Sequence, residues 1–253
     1  MDLRLRGKRA LVTGASKGIG AATAEVLAEE GCDVHLVARS APLLEDLAKR
    51  LRAEHGAKVE VHPADLRDAD DLAGVALDVD ILVNNAGDIP GGSLTAVDEE
   101  TWRHAWELKV FGYLNLSRLV YAKMKARGSG VIVNNIGAAG ERPNFDYIAG
   151  TTGNAALMAF TRALGGRSLH DGVRVVAVNP GPVETDRIIA LTRAQARSRF
   201  GDESRYRELM GDYPLGRPAT AREVADLIVF LASERSAYTS GAVFTLDGGT
   251  SNA

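Results

Sequence analysis

Residues 8–20 constrain this chain more than any other segment. An apolar run over 8–13 reads as a short buried strand and passes into Thr13-Gly14-Ala15-Ser16-Lys17-Gly18-Ile19-Gly20. A helical pattern over 19–30 follows at once, with small and apolar residues on one face. Glycines in such a loop let the backbone turn tightly and approach a pyrophosphate, while the N–H groups of the helix start face its negative charge. A glycine loop alone is a weak signal. Flanked by a strand and a helix, it points to a dinucleotide-binding α/β fold.

The rest of the chain keeps the same rhythm. Strands are predicted at 33–38, 58–62, 80–83, 131–134, 173–178 and 243–246. Helical patterns lie between them at 42–54, 99–127, 152–169 and 220–232, the first with a proline in its opening turn. Strand–helix alternation over the whole length implies a parallel sheet covered by helices on both faces. With 253 residues and no composition break, residues 1–253 form a single domain. Two segments depart from the rhythm. Residues 66–79 leave room for a very short helix only, and 182–218 form a long insertion with amphipathic stretches at 188–200 and 203–211. Ligands of open parallel sheets bind beyond the carboxyl ends of the strands, so an insertion after such an end is placed to cover one.

Composition excludes several classes. Hydrophobic residues make up 45% and charged residues 25%, with a net charge of −3, so neither nucleic acid nor an anionic membrane is an expected partner. Cys32 is the single cysteine, which forbids an intramolecular disulfide; it reads as a small buried residue. The histidines at 35, 55, 62, 104 and 170 show no metal-ligand spacing in sequence, so no metal is expected. There is no apolar signal region and no run of about 18 apolar residues, which places the chain in the cytoplasm.

Four motifs together resemble the short-chain dehydrogenase/reductase family over nearly the whole chain. They are the loop at 13–20, Asn84-Asn85-Ala86-Gly87, Asn179-Pro180-Gly181 with Thr185, and Leu246-Asp247-Gly248-Gly249. The resemblance implies a Rossmann-type, doubly wound sheet of seven strands, a nicotinamide dinucleotide, a small-molecule substrate and a homotetramer. It implies that Gly14, Ser16, Lys17, Gly18, Ile19 and Gly20 hold the phosphates. Asp65 and Leu66 match the pair that lines the adenine. Asn84, Ala86 and Gly87 match the segment beside the ribose and nicotinamide, and Pro180, Gly181, Val183 and Thr185 the segment that holds the carboxamide.

Which dinucleotide follows from charge. A carboxylate after the second strand would accept hydrogen bonds from the adenosine 2′-hydroxyl and repel a 2′-phosphate. Here Arg39 and Ser40 stand there, and Lys17 in the glycine loop lies on the same side. Two cations and a hydroxyl suit a dianionic phosphate, so NADP(H) is expected ahead of NAD(H).

The chemistry that the family resemblance implies needs a serine, a tyrosine, a lysine and an asparagine, and this chain departs at all four positions. Read without a gap, the serine position falls on Gly137, the tyrosine on Gly150 and the lysine on Asn154. Lys109 takes the asparagine position. A shift of three residues would put Tyr147 at the tyrosine site, but it misaligns Ala155-Ala156-Leu157. Lys109 is then the leading relocated group, since apolar neighbours flank it in Ala105-Trp106-Glu107-Leu108-Lys109-Val110-Phe111. Tyr147 is the second candidate, in the loop 141–148, where a packing aromatic is as good a reading. Asn154 completes the candidate catalytic set. Glu141, Arg142, Asp146 and Asp88 read as structural or surface charges.

The insertion carries Arg187, Arg193, Arg197, Arg199, Arg205 and Arg207, interleaved with acids at 184, 186, 202, 203, 208 and 212. Either a solvated helix face or a site for an anionic substrate fits that pattern. Three activities remain open at this stage. One is a carbonyl–alcohol oxidoreductase with a rewired proton path. The others are a lyase or isomerase on the same scaffold, and a catalytically silent nucleotide-binding protein.

Overall fold

A computed structural model describes residues 1–211 and 213–252; at 187, 190, 191, 194, 195 and 198 it describes the backbone alone. The Arg187 side chain and Asp212 therefore lie outside the described residues. Seven strands form one sheet in the order β3-β2-β1-β4-β5-β6-β7, with every neighbouring pair parallel. They are β1 (Arg9–Thr13), β2 (Asp33–Ala38), β3 (Val59–Pro63), β4 (Ile81–Asn84), β5 (Gly130–Asn135), β6 (Val173–Pro180) and β7 (Val243–Leu246). This is the doubly wound Rossmann-type architecture. The sheet order reverses between β1 and β4, the switch point at which such sheets open a crevice.

Helices α1 (Gly18–Glu29), α2 (Ala41–His55) and α9 (Ala221–Ala232) cover one face. Their apolar stripes, including Leu27, Leu44, Leu51 and Ile228, close a core with Val12, Leu36 and Val178. On the other face lie α3 (Ala69–Gly74), α5 (Gly112–Arg127) and α6 (Ile148–Ser168). There Leu72, Leu116, Val120 and Met124 pack on Leu11, Leu82 and Ile132. Side-chain caps set several helix starts. Asp68 accepts from the N–H groups of Asp70 and Asp71, and Thr220 and Glu223 form a reciprocal capping box. Cys32 is buried, as expected. Among the described residues no helix is long and apolar enough to cross a membrane.

Two elements differ from expectation in ways that shape the site. The predicted helix 99–127 is continuous but not uniform. It runs through α4 (Glu99–Trp106), a π turn (Glu107–Phe111) and α5. The Gly112 N–H donates to Glu107 O, five residues back. The next helix, α6, starts at Ile148 rather than 152. Gly150 and Gly153, inside the first turns of α6, are contact points. A Cβ on Gly153 would lie 3.2 Å from Trp106 Nε1, and the same indole N–H donates to Ala149 O at 2.9 Å. The insertion folds as α7 (Asp186–Phe200) and α8 (Tyr206–Met210), with a 3₁₀ turn at Glu203–Arg205.

Candidate active site

The crevice between the ends of β1 and β4 is lined by backbone at close quarters. Gly14 and Gly18 have φ values of +64° and +58°, a region that glycine enters without steric cost. A Cβ on Gly14 would sit 2.9 Å from Ala86 Cα, and one on Gly18 would lie 3.4 Å from Thr185 Cγ2. The glycine loop, the Ala86–Gly87 segment and Thr185 therefore border one space. Gly20 packs the start of α1 onto Gly14 O, where a side chain would collide. Ser16 is half-buried, and Lys17, Gly87 and Arg39 are exposed.

Beneath this space runs a polar network. Thr13 Oγ1 accepts from the N–H groups of Asn85 and Ala86 at 2.9 and 3.0 Å. The Asn85 amide donates to Thr13 O at 3.0 Å, and Asn135 donates to Asn85 Oδ1 at 2.7 Å. Deeper still, Asn84 donates to Ser117 and Asn134 at 2.9 Å each, and Asn134 donates to Thr161. These bonds knit β1, β4, β5, α5 and α6 at the level of the crevice floor.

Burial separates the expected ligand residues by what each presents to the crevice. Asn84 is fully buried, and its side chain faces the interior network rather than the crevice. Leu66 and Val183 are core residues at 4% and 5% exposure, so what they offer a ligand is backbone. Pro180 ends β6 in register with Leu246, and a Cβ on Gly181 would meet Asp247, which ties this segment to the C-terminal strand. The residues that the sequence reading passed over are Thr13, Asn85, Asn134 and Asn135. Their signal was present as two consecutive asparagine pairs, 84–85 and 134–135, at the ends of adjacent strands.

The adenosine side carries charge. Arg67 holds Asp65 through Nε to Oδ1 at 2.9 Å and Nη2 to Oδ2 at 2.5 Å. The Arg67 guanidinium keeps the Asp65 carboxyl below its usual range, and the charge of Arg39 adds to this. Arg39 therefore lies within electrostatic reach of Asp65. Ser40 caps α2 without a side-chain bond to the helix, which leaves its hydroxyl outside the capping role.

At the candidate catalytic end, three side chains fill the space above three glycines. A Cβ on Gly150 would coincide with the Tyr147 ring. The gap-free reading and the shifted one thus meet in space. Gly150 occupies the helical position, and the phenol of Tyr147 folds back over it from one turn earlier. Tyr147 enters with φ −142° and ψ 40°, its strand-like bridge to Gly92 fixing the loop. It packs, like Trp102 and Trp106, against the cluster of Ile89, Ala105 and Ala149. Asn154, one turn further along α6, occupies the space beside Gly137. A Cβ there would lie 2.9 Å from Asn154 Nδ2, and that amide donates to Gly137 O at 3.3 Å.

Lys109 rises from the π turn and crosses Gly87, whose Cβ would sit 2.8 Å from Lys109 Cδ. Its Nζ donates to Ile136 O at 2.5 Å. Lys109 and Asn154 therefore meet Ile136–Gly137 at the end of β5, while Tyr147 lies over Gly150, one turn before Asn154 on α6. The amide oxygens of Asn84, Asn135 and Asn154 are buried without a hydrogen-bond partner. Buried acceptors are normally satisfied; that of Asn84 lies in the interior network, and that of Asn154, beside Gly137, leaves room for a donor from a bound molecule. With the glycine cradle, this arrangement fits a nicotinamide dinucleotide.

Other expected charges are engaged elsewhere. Glu141 accepts from Thr245 at 2.5 Å, and Arg142 donates to Thr250 O. Asp88 acts electrostatically on Arg67. In the insertion, Arg197 pairs with Glu203 and Arg205 with Glu208, while Arg193 and Arg205 stack on Tyr206 and Phe200. That is the pattern of a solvated, self-paired helix face.

Comparison with known proteins agrees with this fold. The family description "Enoyl-(Acyl carrier protein) reductase" matches residues 14–251. The chain is 33% identical to a 3-oxoacyl-[acyl-carrier-protein] reductase of Thermotoga maritima, over 98% of this chain and 99% of the relative. Among solved structures, L-sorbose reductase from Gluconobacter frateurii in complex with NADPH and L-sorbose superimposes with a TM-score of 0.93. That match has 32% identity and covers 100% of both chains. A xylitol dehydrogenase bound to NAD+ gives a TM-score of 0.89 at 25% identity, over 97% of this chain and 100% of its own.

Proposed function

The chain belongs to the short-chain dehydrogenase/reductase family, a nicotinamide-dependent oxidoreductase of keto and alcohol substrates, and on that premise we propose an NADP(H) enzyme with a relocated proton path. One observation carries the relocated path. The Tyr147 ring stands where a side chain on Gly150 would begin, which supports a phenol supplied from one turn earlier.

When bound in the crevice, the dinucleotide would supply or accept the hydride. The chain's own residues do the rest. The glycine loop with Gly14, Ser16 and Gly18 turns N–H groups toward the phosphates. Lys17, Arg39 and Ser40 meet the 2′-phosphate, for which two cations favour NADP(H) over NAD(H). Tyr147 Oη gives a proton to the substrate oxygen in reduction and takes one back in oxidation, a task worth about 10²–10⁴ in rate. Lys109 Nζ, anchored on Ile136 O, brings positive charge to the end of β5, where it can hold the oxygens of the bound molecules. Asn154 Oδ1, buried and lacking a protein donor, accepts from a hydroxyl of the bound molecules. Insertion 182–218 follows β6 and covers the substrate from above.

Two wider readings belong to the same proposal. The enzyme is a cytoplasmic homotetramer, for which the exposed Phe111 on the long α4–α5 helix and the partly exposed apolar residues of edge strand β7 give apolar contact surface. Light scattering tests the mass, and a monomer rejects it. The activity is tested by nicotinamide absorbance with NADPH over a panel of ketones and the matching alcohols. Turnover with any member supports the oxidoreductase reading. Tight NADPH binding without turnover across the panel returns the scaffold to lyase or isomerase chemistry. Fluorescence titration of NADPH and NADH tests the cofactor, and equal or reversed affinities reject the NADP(H) preference.

A further inference from the structure

We propose that His35, Glu60 and His62 form a binding site for a divalent transition metal ion of the zinc type, on the outer edge of the sheet and separate from the crevice. The strand register creates it. His35 on β2 stands opposite Glu60 on β3, and His62 follows Glu60 by two residues, so side-chain alternation puts both β3 groups on the same face. His35 Nδ1 lies 3.1 Å from His62 Nε2 and 3.5 Å from Glu60 Oε2, and His62 Nε2 lies 3.9 Å from the same oxygen. A point equidistant from these three atoms lies about 2 Å from each, the bond length of zinc to imidazole nitrogen and carboxylate oxygen.

The chemistry of the groups suits an ion. Both imidazoles are largely buried, and desolvation lowers the pKa of each, so they are neutral ligands at physiological pH. With no ion, the two rings share one hydrogen bond. An ion replaces it when each ring keeps its proton on the far nitrogen, and no proton need be lost. Glu60 is 70% exposed and faces an open cleft of about 330 Å³ bordered by Arg9, Asp33, Lys58 and Asp78. Water from that cleft supplies the remaining coordination position. The neighbouring cations are already matched, Arg9 by Asp78 and Asp80, and Lys58 by Asp33. Two nitrogens and one carboxylate select zinc, cobalt or nickel over magnesium or calcium.

A second cluster, Glu25, Glu29 and His55, has the right residue types but not the availability. Arg50 holds Glu25 at 3.0 and 3.2 Å, and Arg222 holds Glu29 at 2.7 Å through two bonds. Its carboxylates are engaged before an ion arrives.

The test uses the full chain, stripped with a chelator and titrated with Zn²⁺ while thermal unfolding is followed. Zn²⁺ at about 100 times its Kd should raise Tm by about 5 °C or more. Co²⁺ should bind one per chain and give visible absorption of tetrahedral intensity. Glu60→Gln changes an exposed residue and leaves the fold intact; it should weaken Zn²⁺ at least tenfold. His62→Gln should abolish the Tm shift and the Co²⁺ spectrum. The proposal is overturned if the parent shows no shift, or if the shift and spectrum persist in His62→Gln, which would put the ion at another cluster. It is also overturned if Glu60→Gln binds Zn²⁺ like the parent.

Discussion

Gly150→Ala is the substitution that separates a working Tyr147 from a merely packed one. The new methyl lands on the Tyr147 ring, whereas carbon atoms pack at about 3.5–4 Å. The helix backbone around Gly150 is buried and held, so the ring is the part that gives, by about 1.5 Å or more. Overpacking of this kind costs about 1–3 kcal/mol, which is a loss of a few degrees in Tm for a chain of this size. The effect on turnover is larger. A catalytic group misplaced by about 1 Å loses on the order of 10²-fold. Tyr147→Phe keeps the ring and removes the proton, so it should lose about 10²–10⁴ in kcat while NADPH affinity holds. The two act on one function, and the double variant should therefore be no slower than Tyr147→Phe alone. Steady-state turnover with NADPH and an active ketone reads all three. If Tyr147→Phe and Gly150→Ala both keep kcat within threefold of the parent, Tyr147 is a packing residue and the proton comes from elsewhere.

Lys109→Met keeps the length of the side chain and removes its charge. It should fold, and should weaken NADPH binding or slow turnover at least about tenfold, the effect of losing one charge-assisted contact; parent-like behaviour in both assays removes Lys109 from the site. Arg39→Ala should weaken NADPH about tenfold or more and leave NADH nearly unchanged, read by fluorescence titration; an equal loss for both dinucleotides rejects the 2′-phosphate role. Glu223 holds Arg217 and caps Thr220, bonds that lower its pKa from 4.5 to about 2. Because the folded value lies below the unfolded one, its stabilisation is complete above about pH 4.5 and is lost as pH falls toward about 2. Glu223→Gln should therefore melt below the parent at pH 7, and the difference should close across that window; a constant difference would place the effect in packing rather than charge.

Much of this protein was legible in its sequence, because the determinants are local. Strand and helix alternate from Arg9 to Leu246, and each element writes its own period within a few residues. The left-handed turns at Gly14 and Gly18 are local demands as well, and a glycine loop between strand and helix announces them. Burial was legible only on average. Asn84 matched a ligand-facing motif, yet it points into the core to hold Ser117 and Asn134, because which face a strand end shows is decided by what packs on it.

The candidate site itself was decided by tertiary structure. Residue by residue, position 150 is empty, and Tyr147 is a loop aromatic. Only the docking of loop 141–148 onto α6, fixed by the bridge to Gly92, brings the ring over the glycine. Lys109 lies 27 residues before the carbonyl it meets, and the π turn sets the direction from which it arrives. His35 and His62 show no spacing of interest in sequence, since their proximity is a property of the register between two strands. Local sequence specifies backbone geometry, because a dihedral angle answers to its immediate neighbours. A site joins side chains from distant elements, and their meeting is settled only when those elements pack.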